Sequence, residues 1–320
     1  NTLAHFLTAT SGDQSGIVAL IAASAALFFF VFYIASGLQG IGMLLHATFG
    51  VSPTIAIVVS ALAIMAYTML GGYVAIALTD AFQGIFLLVM ILLVPLVVWL
   101  KLPLETVPSL SALPALQATT VGHAILIAIN WGIGYCGMPH VLSKFMGLDE
   151  VKNMKKAQYI GLSWQILALG AAAAIGILGR IVYAGKELGT TPLFTSLVMS
   201  HFSPFFAGLV LCAILAASIS TLDSQLMVSA TILTQDICNP HGARRQMLVT
   251  RLSIVLLTIL GIWIALTSSK TLYDIVNYAW SGLGSTFGPV VLASLYVRSL
   301  TPAGVVAGML SGATGAALSP

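Results

Sequence analysis

Residues 213–237 read AILAASISTLDSQLMVSATILTQDI, an apolar stretch with a polar centre. The Leu, Ile, Ala, Val and Met residues predict a helix that lies in an apolar medium. Five of seven consecutive central positions are polar, namely Ser218, Ser220, Thr221, Asp223 and Ser224. Ser220 and Thr221 follow the small residue Ala217 by three and four positions, so these three share one helical face. Ligands that are all oxygen suit a hard cation, and the stretch therefore predicts a cation site within a helix.

The polar residues of this stretch also have simpler interpretations. A Ser or Thr in a membrane helix often donates to the carbonyl oxygen four residues earlier. An ionised Asp223 at bilayer depth costs several kcal/mol, which makes it a candidate for cation binding or gating. Its alternatives are a bond to a neighbouring helix or a position in a water-filled vestibule.

Composition places the whole chain in the membrane. Of its 320 residues, 59% are hydrophobic and 7% are charged, and the mean hydropathy is +1.05. A soluble domain carries about 25% charged residues, so these values predict an all-α polytopic protein of the cell membrane, embedded in the lipid bilayer. No basic patch with interleaved aromatic residues is present, so nucleic acid is not an expected partner.

Apolar runs of about 20 residues divide the chain into candidate spans. They are 17–46, 53–70, 80–100, 121–141, 157–184, 203–236, 249–268, 272–297 and 303–318. We expect about eight full spans and part of a ninth, in one transmembrane domain over 1–320. The polar start and the apolar run at the end favour a fragment of a longer protein, truncated at both ends.

A second carboxylate lies in the segment IALTDAFQGIFLL, residues 76–88. Thr79 and Asp80 there are typical N-caps, and one interpretation makes them the start of the third span. In the other interpretation, Asp80 faces the helix that carries Ser220 and acts as a cation ligand or coupling residue. If the N-terminus is cytoplasmic, the segments on that side hold eight Lys and Arg residues and those on the other side hold four, as the positive-inside rule requires. This topology puts Asp80 and Asp223 toward the same, cytoplasmic half, where they could meet.

The segment INWGIGYCGMPH, residues 129–140, concentrates Gly and Pro within an apolar run. Such residues interrupt a membrane helix and free backbone groups, which indicates a transporter binding site. Trp131, Tyr135 and Pro139 would share one face of a continuous helix. Aromatic anchoring at the membrane interface is the alternative. The basic residues that follow predict a solvated cytoplasmic loop; they are His140, Lys144, Lys152, Lys155 and Lys156.

Four long motifs together point to one family. They are YTMLGGYVAIALTDAFQ (67–83), WGIGYCGMPHVLSKFM (131–146), LAASISTLDSQLMVSATILTQDI (215–237) and YAWSGLGSTFGPVVL (278–292). In content, order and spacing the chain resembles the sodium:solute symporter family, and within it the sodium/proline symporters. The resemblance covers essentially the whole sequence.

The resemblance implies a leucine-transporter-like fold, an inverted five-plus-five helix repeat. Residues 17–100 would be the last three helices of the first repeat, 121–297 the second repeat, and 303–320 the start of a following helix. It also implies a sodium-coupled importer of a small solute, most closely L-proline, and not an enzyme.

The resemblance also assigns roles to residues. Sodium would bind at Ala217, Ser220 and Thr221, with Asp80 as a further sodium-binding residue. Proline would bind at Trp131, Tyr135 and Pro139, and the remaining ligands would come from a helix before this chain. Asp223 departs from some proline symporters, which carry a small residue there, and is a possible coupling residue.

Three alternatives stay open at this stage. The solute of a sodium symporter could be another amino acid, pantothenate, a sugar or a carboxylate. Asp80 and Asp223 could form the carboxylate dyad of an intramembrane aspartyl enzyme. A channel or a sensor could retain the transporter fold.

Overall fold

The computed structural model describes residues 2–102, 118–148, 150–183, 192–297 and 299–318, and within these ranges the regular structure is helical. The helices are α1 Leu3–Ser11, α2 Ile17–Phe49, α3 Pro53–Lys101, α4 Ala118–Cys136, α5 Pro139–Met146, α6 Met154–Val182, α7 Leu193–His201, α8 Pro204–Ile232, α9 Ala243–Thr267, α10 Leu272–Tyr296 and α11 Pro302–Leu318. A π-helical turn, Leu233–Cys238, continues α8. The all-helical class predicted from composition is confirmed for the described residues.

Six helical segments are long and apolar enough to cross a membrane, or seven if the bent pair α4 and α5 counts as one span. Each of the nine predicted spans overlaps a helix, but the predicted number of spans is not confirmed. The difference lies in the last two predicted spans and in the break between α4 and α5. α10 carries Asp274 and Asn277 in its first turns and a stretch rich in Gly, Ser and Thr at 281–286, which together lower its hydropathy. The apolar helix α11 has only 17 residues.

Helix α3 consists of two arms that meet at Gly72. The backbone of Gly72 has φ 62° and ψ 178°, a conformation that only glycine adopts without strain. The arms, Pro53–Gly72 and Val74–Lys101, are each apolar enough to span. The predicted separation at Gly71 and Gly72 is therefore confirmed, and it takes the form of a single-residue joint.

α2 and α8 connect the hydrophobic clusters of the described residues. One cluster joins α2 to α1, α10 and α11 through Phe29, Phe30, Leu283, Phe287 and Met309. A second joins α2, the first arm of α3, α8 and α9 through Ile34, Ile41, Ile57, Leu222 and Ile254. A third joins the second arm of α3 to α6, α7 and α8. α2 and α8 thus each contribute to all three clusters.

The outer side of α3 shows what surrounds the protein. Leu78, Phe82, Ile85 and Val89 follow one another at helical spacing and are 69%, 74%, 66% and 56% exposed. In water this stripe would leave several large apolar side chains hydrated. In a bilayer it meets lipid tails, which are as apolar as the side chains themselves.

Two glycines allow α11 to pack closely on α10. A Cβ added at Gly312 would overlap the carbonyl oxygen of Ser285, and one added at Gly308 would lie 2.8 Å from Val290 Cγ2. The Ser285 hydroxyl donates to the Gly312 carbonyl across the same contact at 3.1 Å. Close approach of membrane helices at small residues explains this glycine spacing.

We therefore expect Gly312→Ala to destabilise the protein by about 1–3 kcal/mol, because the new methyl group overlaps backbone that cannot move freely. Gly315→Ala is the matched control, since nothing lies within 4 Å of its added Cβ on the same helix. The midpoint of thermal unfolding in detergent is measured for the two purified variants. Equal midpoints for the two variants would contradict the close contact.

Candidate functional site

The polar face of α8 presents its oxygen atoms at an accessible surface. The Thr221 hydroxyl donates to the Ala217 carbonyl at 3.0 Å, and the Ser218 hydroxyl donates to Ile214 at the same distance. Ser220 and Ala217 are half-buried and Thr221 is exposed. The back-bonding interpretation therefore holds for Thr221 in this conformation. The Thr221 hydroxyl, as the donor, keeps its lone pairs for another ligand. The Ala217 carbonyl already accepts the Thr221 hydroxyl and, within the helix, the Thr221 N–H, so it becomes available to a cation when the hydroxyl turns away.

Asp80 lies inside the second arm of α3 and faces α8. Its Oδ2 accepts a hydrogen bond from the Ser224 hydroxyl at 3.0 Å and from the Lys144 ammonium at 2.7 Å. The helix begins at Val74, and the Thr79 hydroxyl donates to the Ala75 carbonyl. The N-cap interpretation of Thr79 and Asp80 was therefore wrong, and the predicted approach of Asp80 to the helix of Ser220 is confirmed.

Lys144 and His140 lie on the short helix α5. The prediction of a solvated loop was wrong for both, because the chain resumes a helical turn directly after Pro139. The His140 ring is 8% exposed and packs edge-on against Phe30 and Tyr33. Lys144 is half-exposed and reaches inward to Asp80.

The remaining predicted loop residues behave differently. Lys155 and Lys156 are exposed at the start of α6. Lys152 pairs with Glu150 at 2.8 Å, and both side chains are more than half exposed. This surface pair differs from Lys144–Asp80, whose carboxylate is only 11% exposed.

Asp223 is the most deeply buried charged residue of this cluster. It is 0% exposed, and neither carboxylate oxygen has a hydrogen-bond partner among the described residues. Asp80 and Lys144 are the charged residues that act on it. Asp80 Oδ1 is also buried and without a partner in the described part of the chain. The two carboxylates thus lie in the same region, as predicted, because Asp80 accepts a hydrogen bond from Ser224, the residue next to Asp223.

A broken helix adjoins this cluster. α4 ends at Cys136 and α5 begins at Pro139, and their axes are bent by 49°. Met138 between them is extended (φ −88°, ψ 105°), and Pro139 has no N–H for a continuing helix. Gly137 lies so close to α10 that an added Cβ would be 2.7 Å from both Gly288 N and the Leu283 carbonyl oxygen. The predicted interruption is confirmed.

The bend separates the three predicted solute residues. Trp131 stacks on Trp280 of α10 at 4.7 Å with an interplanar angle of 28°, and Tyr135 meets the edge of the same indole at 4.9 Å. Gln165 of α6 donates to the Tyr135 hydroxyl at 2.6 Å. Pro139 instead lines a small cavity with residues of α1, α2, α8 and α10. Trp131 and Tyr135 therefore share a face, whereas Pro139 does not.

Trp280 is a site residue that sequence reasoning did not single out. It is 4% exposed, and its indole N–H has no partner in the described ranges. The sequence feature that could have identified it is the motif YAWSGLGSTFGPVVL, residues 278–292, in which it lies. Gly134 allows its approach, since a Cβ there would overlap the indole nitrogen.

The order of these elements matches one family model along almost the whole chain. The model of the sodium:solute symporter family covers residues 1–312. The chain belongs to the sodium:solute symporter family. It is accordingly a multi-pass membrane protein.

Two curated members of the symporter family indicate how far the similarity extends. "Sodium/proline symporter 2" of Staphylococcus saprophyticus is 33% identical over 329 residues, which covers 98% of this chain and 64% of that protein. The "Sodium/proline symporter" of Haemophilus influenzae is 32% identical over 335 residues, with 98% and 66% covered. The chain thus spans just under two thirds of the length of these relatives.

A solved structure shares the fold. It is described as the substrate-bound outward-open state of a Na⁺-coupled sialic acid symporter that reveals a novel Na⁺ site. The TM-score is 0.72, with 99% of this chain and 77% of that chain covered, at 17% sequence identity. The likeness shows a common helical architecture for this symporter-family chain. The assignment of 17–100, 121–297 and 303–320 to an inverted five-plus-five repeat stays a prediction.

We expect Gly134→Ala to disrupt the aromatic cluster, because the added methyl group must displace the Trp280 indole. The tryptophan emission spectrum should shift and the thermal midpoint should fall. Gly132→Ala on the same helix is the control, since its added Cβ meets nothing within 4 Å. An emission spectrum unchanged in Gly134→Ala would contradict the described stacking.

Proposed function

We propose that the protein containing this chain is a sodium-coupled symporter that imports a small solute, L-proline, by alternating access. The observation that carries this proposal is the 33% identity to a sodium/proline symporter across 98% of the chain. The accessible oxygens of α8 and the broken helix α4–α5 supply the two kinds of site that such a transporter needs.

The coupling sodium binds against the polar face of α8 in this proposal. The Ala217 carbonyl and the Ser220 and Thr221 hydroxyls offer three oxygens within one helical turn. Asp80 remains a candidate sodium ligand, and its present partner is Lys144. Asp223 lies one turn beyond Ser220, so its unpartnered carboxylate is close enough to the bound ion to help set its affinity.

The solute binds beside Trp131 and Tyr135. The flat apolar faces of these side chains suit the pyrrolidine ring of proline, and the Tyr135 hydroxyl adds a polar tip. The backbone groups freed between Cys136 and Pro139 suit the ammonium and carboxylate of a zwitterion. Pro139 contributes by ending the first half of the helix, which sets the position of those groups.

Sodium and proline transport are coupled in this proposal because both ligands bind more tightly to the same conformation. Sodium and proline each stabilise the outward-facing arrangement, and their joint binding permits the change to the inward-facing one. Each positive charge that moves inward contributes about 2.3 kcal/mol per 100 mV, in addition to the concentration gradient. A ligand with equal affinity for both arrangements would contribute nothing to this change, however tightly it bound.

The alternatives fare differently. Another solute of the same family remains a candidate, because an aromatic wall accepts many apolar groups and the sialic acid symporter shares the fold. The aspartyl dyad is not favoured: Asp80 is bound by Lys144, and Asp223 is sealed from solvent and from any substrate. A channel would conduct without saturable coupling, and a sensor would bind without transport.

Uptake of radiolabelled L-proline into proteoliposomes tests the proposal, with and without an inward sodium gradient. We expect sodium-dependent uptake that unlabelled proline competes. Sodium-dependent uptake of a different solute only would refute the proline assignment. Absence of cation-driven uptake of any solute would refute the transport function.

We expect Thr221→Ala to raise the sodium concentration for half-maximal uptake by roughly ten- to a hundredfold, because it removes one ligand to a charged ion. Thr231→Ala is the matched control: its hydroxyl donates to the Met227 carbonyl on the same helix at 2.7 Å, away from Ser220. Equal effects of the two substitutions would contradict a sodium site at Thr221.

We expect Trp131→Ala to raise the KM for proline about tenfold, because it removes an apolar wall of the solute site. The sodium dependence should change little. Trp263→Ala, on the outward side of α9 and 62% exposed, is the control. A variant that altered the sodium requirement as much as the KM would contradict the separate roles of Trp131 and Thr221.

A further inference from the structure

Three helices converge on a small charged pocket. α3 contributes Asp80, α8 contributes Ser224 and α5 contributes Lys144 to its lining. Asp223, the neighbour of Ser224 on α8, is fully buried behind it. Lys144 is bonded to Asp80, whereas neither oxygen of Asp223 has a hydrogen-bond partner among the described residues. An ionised carboxylate buried this deeply costs several kcal/mol when it has no cationic partner. The number of cations bound here is therefore limited by the number of ionised carboxylates.

We propose that the ammonium of Lys144 is a tethered cation that occupies the Asp80 position and so limits how many sodium ions the protein binds. The inference rests on the proposed function, since it takes the sodium held by Ser220 and Thr221 as the second positive charge.

The geometry supports the idea that the Lys144 ammonium takes the place of a metal ion beside Asp80. Lys144 Nζ lies 2.7 Å from Asp80 Oδ2, the same oxygen that accepts from Ser224 at 3.0 Å. The other oxygen, Oδ1, is buried without a partner among the described residues. A lysine shortened at this place would leave a carboxylate and a serine hydroxyl, which are ligands for a hard cation.

The pocket also has room for an ion. A cavity of about 30 Å³ lies between Asp80, Lys144, Ser224 and Met227. That volume exceeds the roughly 10–15 Å³ needed to place one water molecule. Removal of the lysine side chain would enlarge it and open the position to solvent, because Lys144 is itself half-exposed.

The position of Lys144 on the broken helix gives the contact a role in the transport cycle. The salt bridge fastens α5, the second half of that helix, to α3 and α8. Any motion of α5 away from α3 withdraws the ammonium from Asp80 and exposes a negative charge. Lys144 is thus a positioning residue whose departure changes the cation affinity of the neighbouring site.

Equilibrium binding of ²²Na⁺ to the purified full-length protein, counted per molecule, tests this inference without transport. We expect Lys144→Ala to bind one more sodium ion per protein than the unsubstituted protein. Lys144→Arg should keep the original count, because the guanidinium supplies the same charge. The combined Asp80→Asn, Lys144→Ala variant should also return to the original count.

The surface pair supplies the control. Lys152→Ala removes a lysine from an exposed pair with Glu150 and should leave sodium binding unchanged. Lys144→Met repeats the measurement with a side chain that preserves packing, in case Lys144→Ala does not fold.

The outcomes separate the two proposals. If Lys144→Ala and Lys144→Met bind as many sodium ions as the original protein, or if the gain survives Asp80→Asn, the tethered-cation inference is overturned. If the original protein binds no sodium but the Lys144 variants bind one, the inference stands and the sodium site at Ser220 and Thr221 fails.

Discussion

The architecture depends on how buried carboxylates are compensated in an apolar medium. Asp223 is closed off from solvent, and Asp80 is nearly so. Water cannot screen them, so their charge must be matched by groups that the fold brings close. The Lys144 ammonium and the Ser224 hydroxyl do this for Asp80, while Asp223 has no hydrogen-bond partner among the described residues. The three helices that carry these groups are therefore held in one arrangement by electrostatics as well as by packing.

Backbone interruptions place the polar groups where the charges need them. The break between α4 and α5 turns the chain by 49°, so that Trp131 and Tyr135 face α10 while Lys144 faces α3 and α8. A continuous helix would have kept all of them on a single straight surface. Glycines at the contacts with α10 let the broken segment lie backbone to backbone against that helix. The aromatic cluster thus lies on α4, the first half of the bent helix, and the ion pair lies on α5, its second half.

The sequence predicts the features that depend on local chemistry. The polar face of α8 follows from helical spacing, the break at 137–139 from Gly and Pro, and the joint at Gly72 from a glycine pair. The features it does not predict depend on distant contacts. Lys144 reaches a carboxylate 64 positions away, and a charge run gives no indication of that partner. Trp280 joins Trp131 from another helix, and Pro139 leaves the shared face because the assumption of an unbroken helix fails.

The one-residue joint in α3 has a geometric consequence for the charged pocket. Two long arms meet at Gly72 without a loop, and Asp80 lies two turns beyond the joint. A helix advances by 3.6 residues per turn, so one residue added or removed at the joint would rotate the second arm by about 100°. Asp80 would then no longer face Ser224. The number of residues at the joint is therefore as important as the glycine itself. It sets the direction in which every side chain of the second arm points.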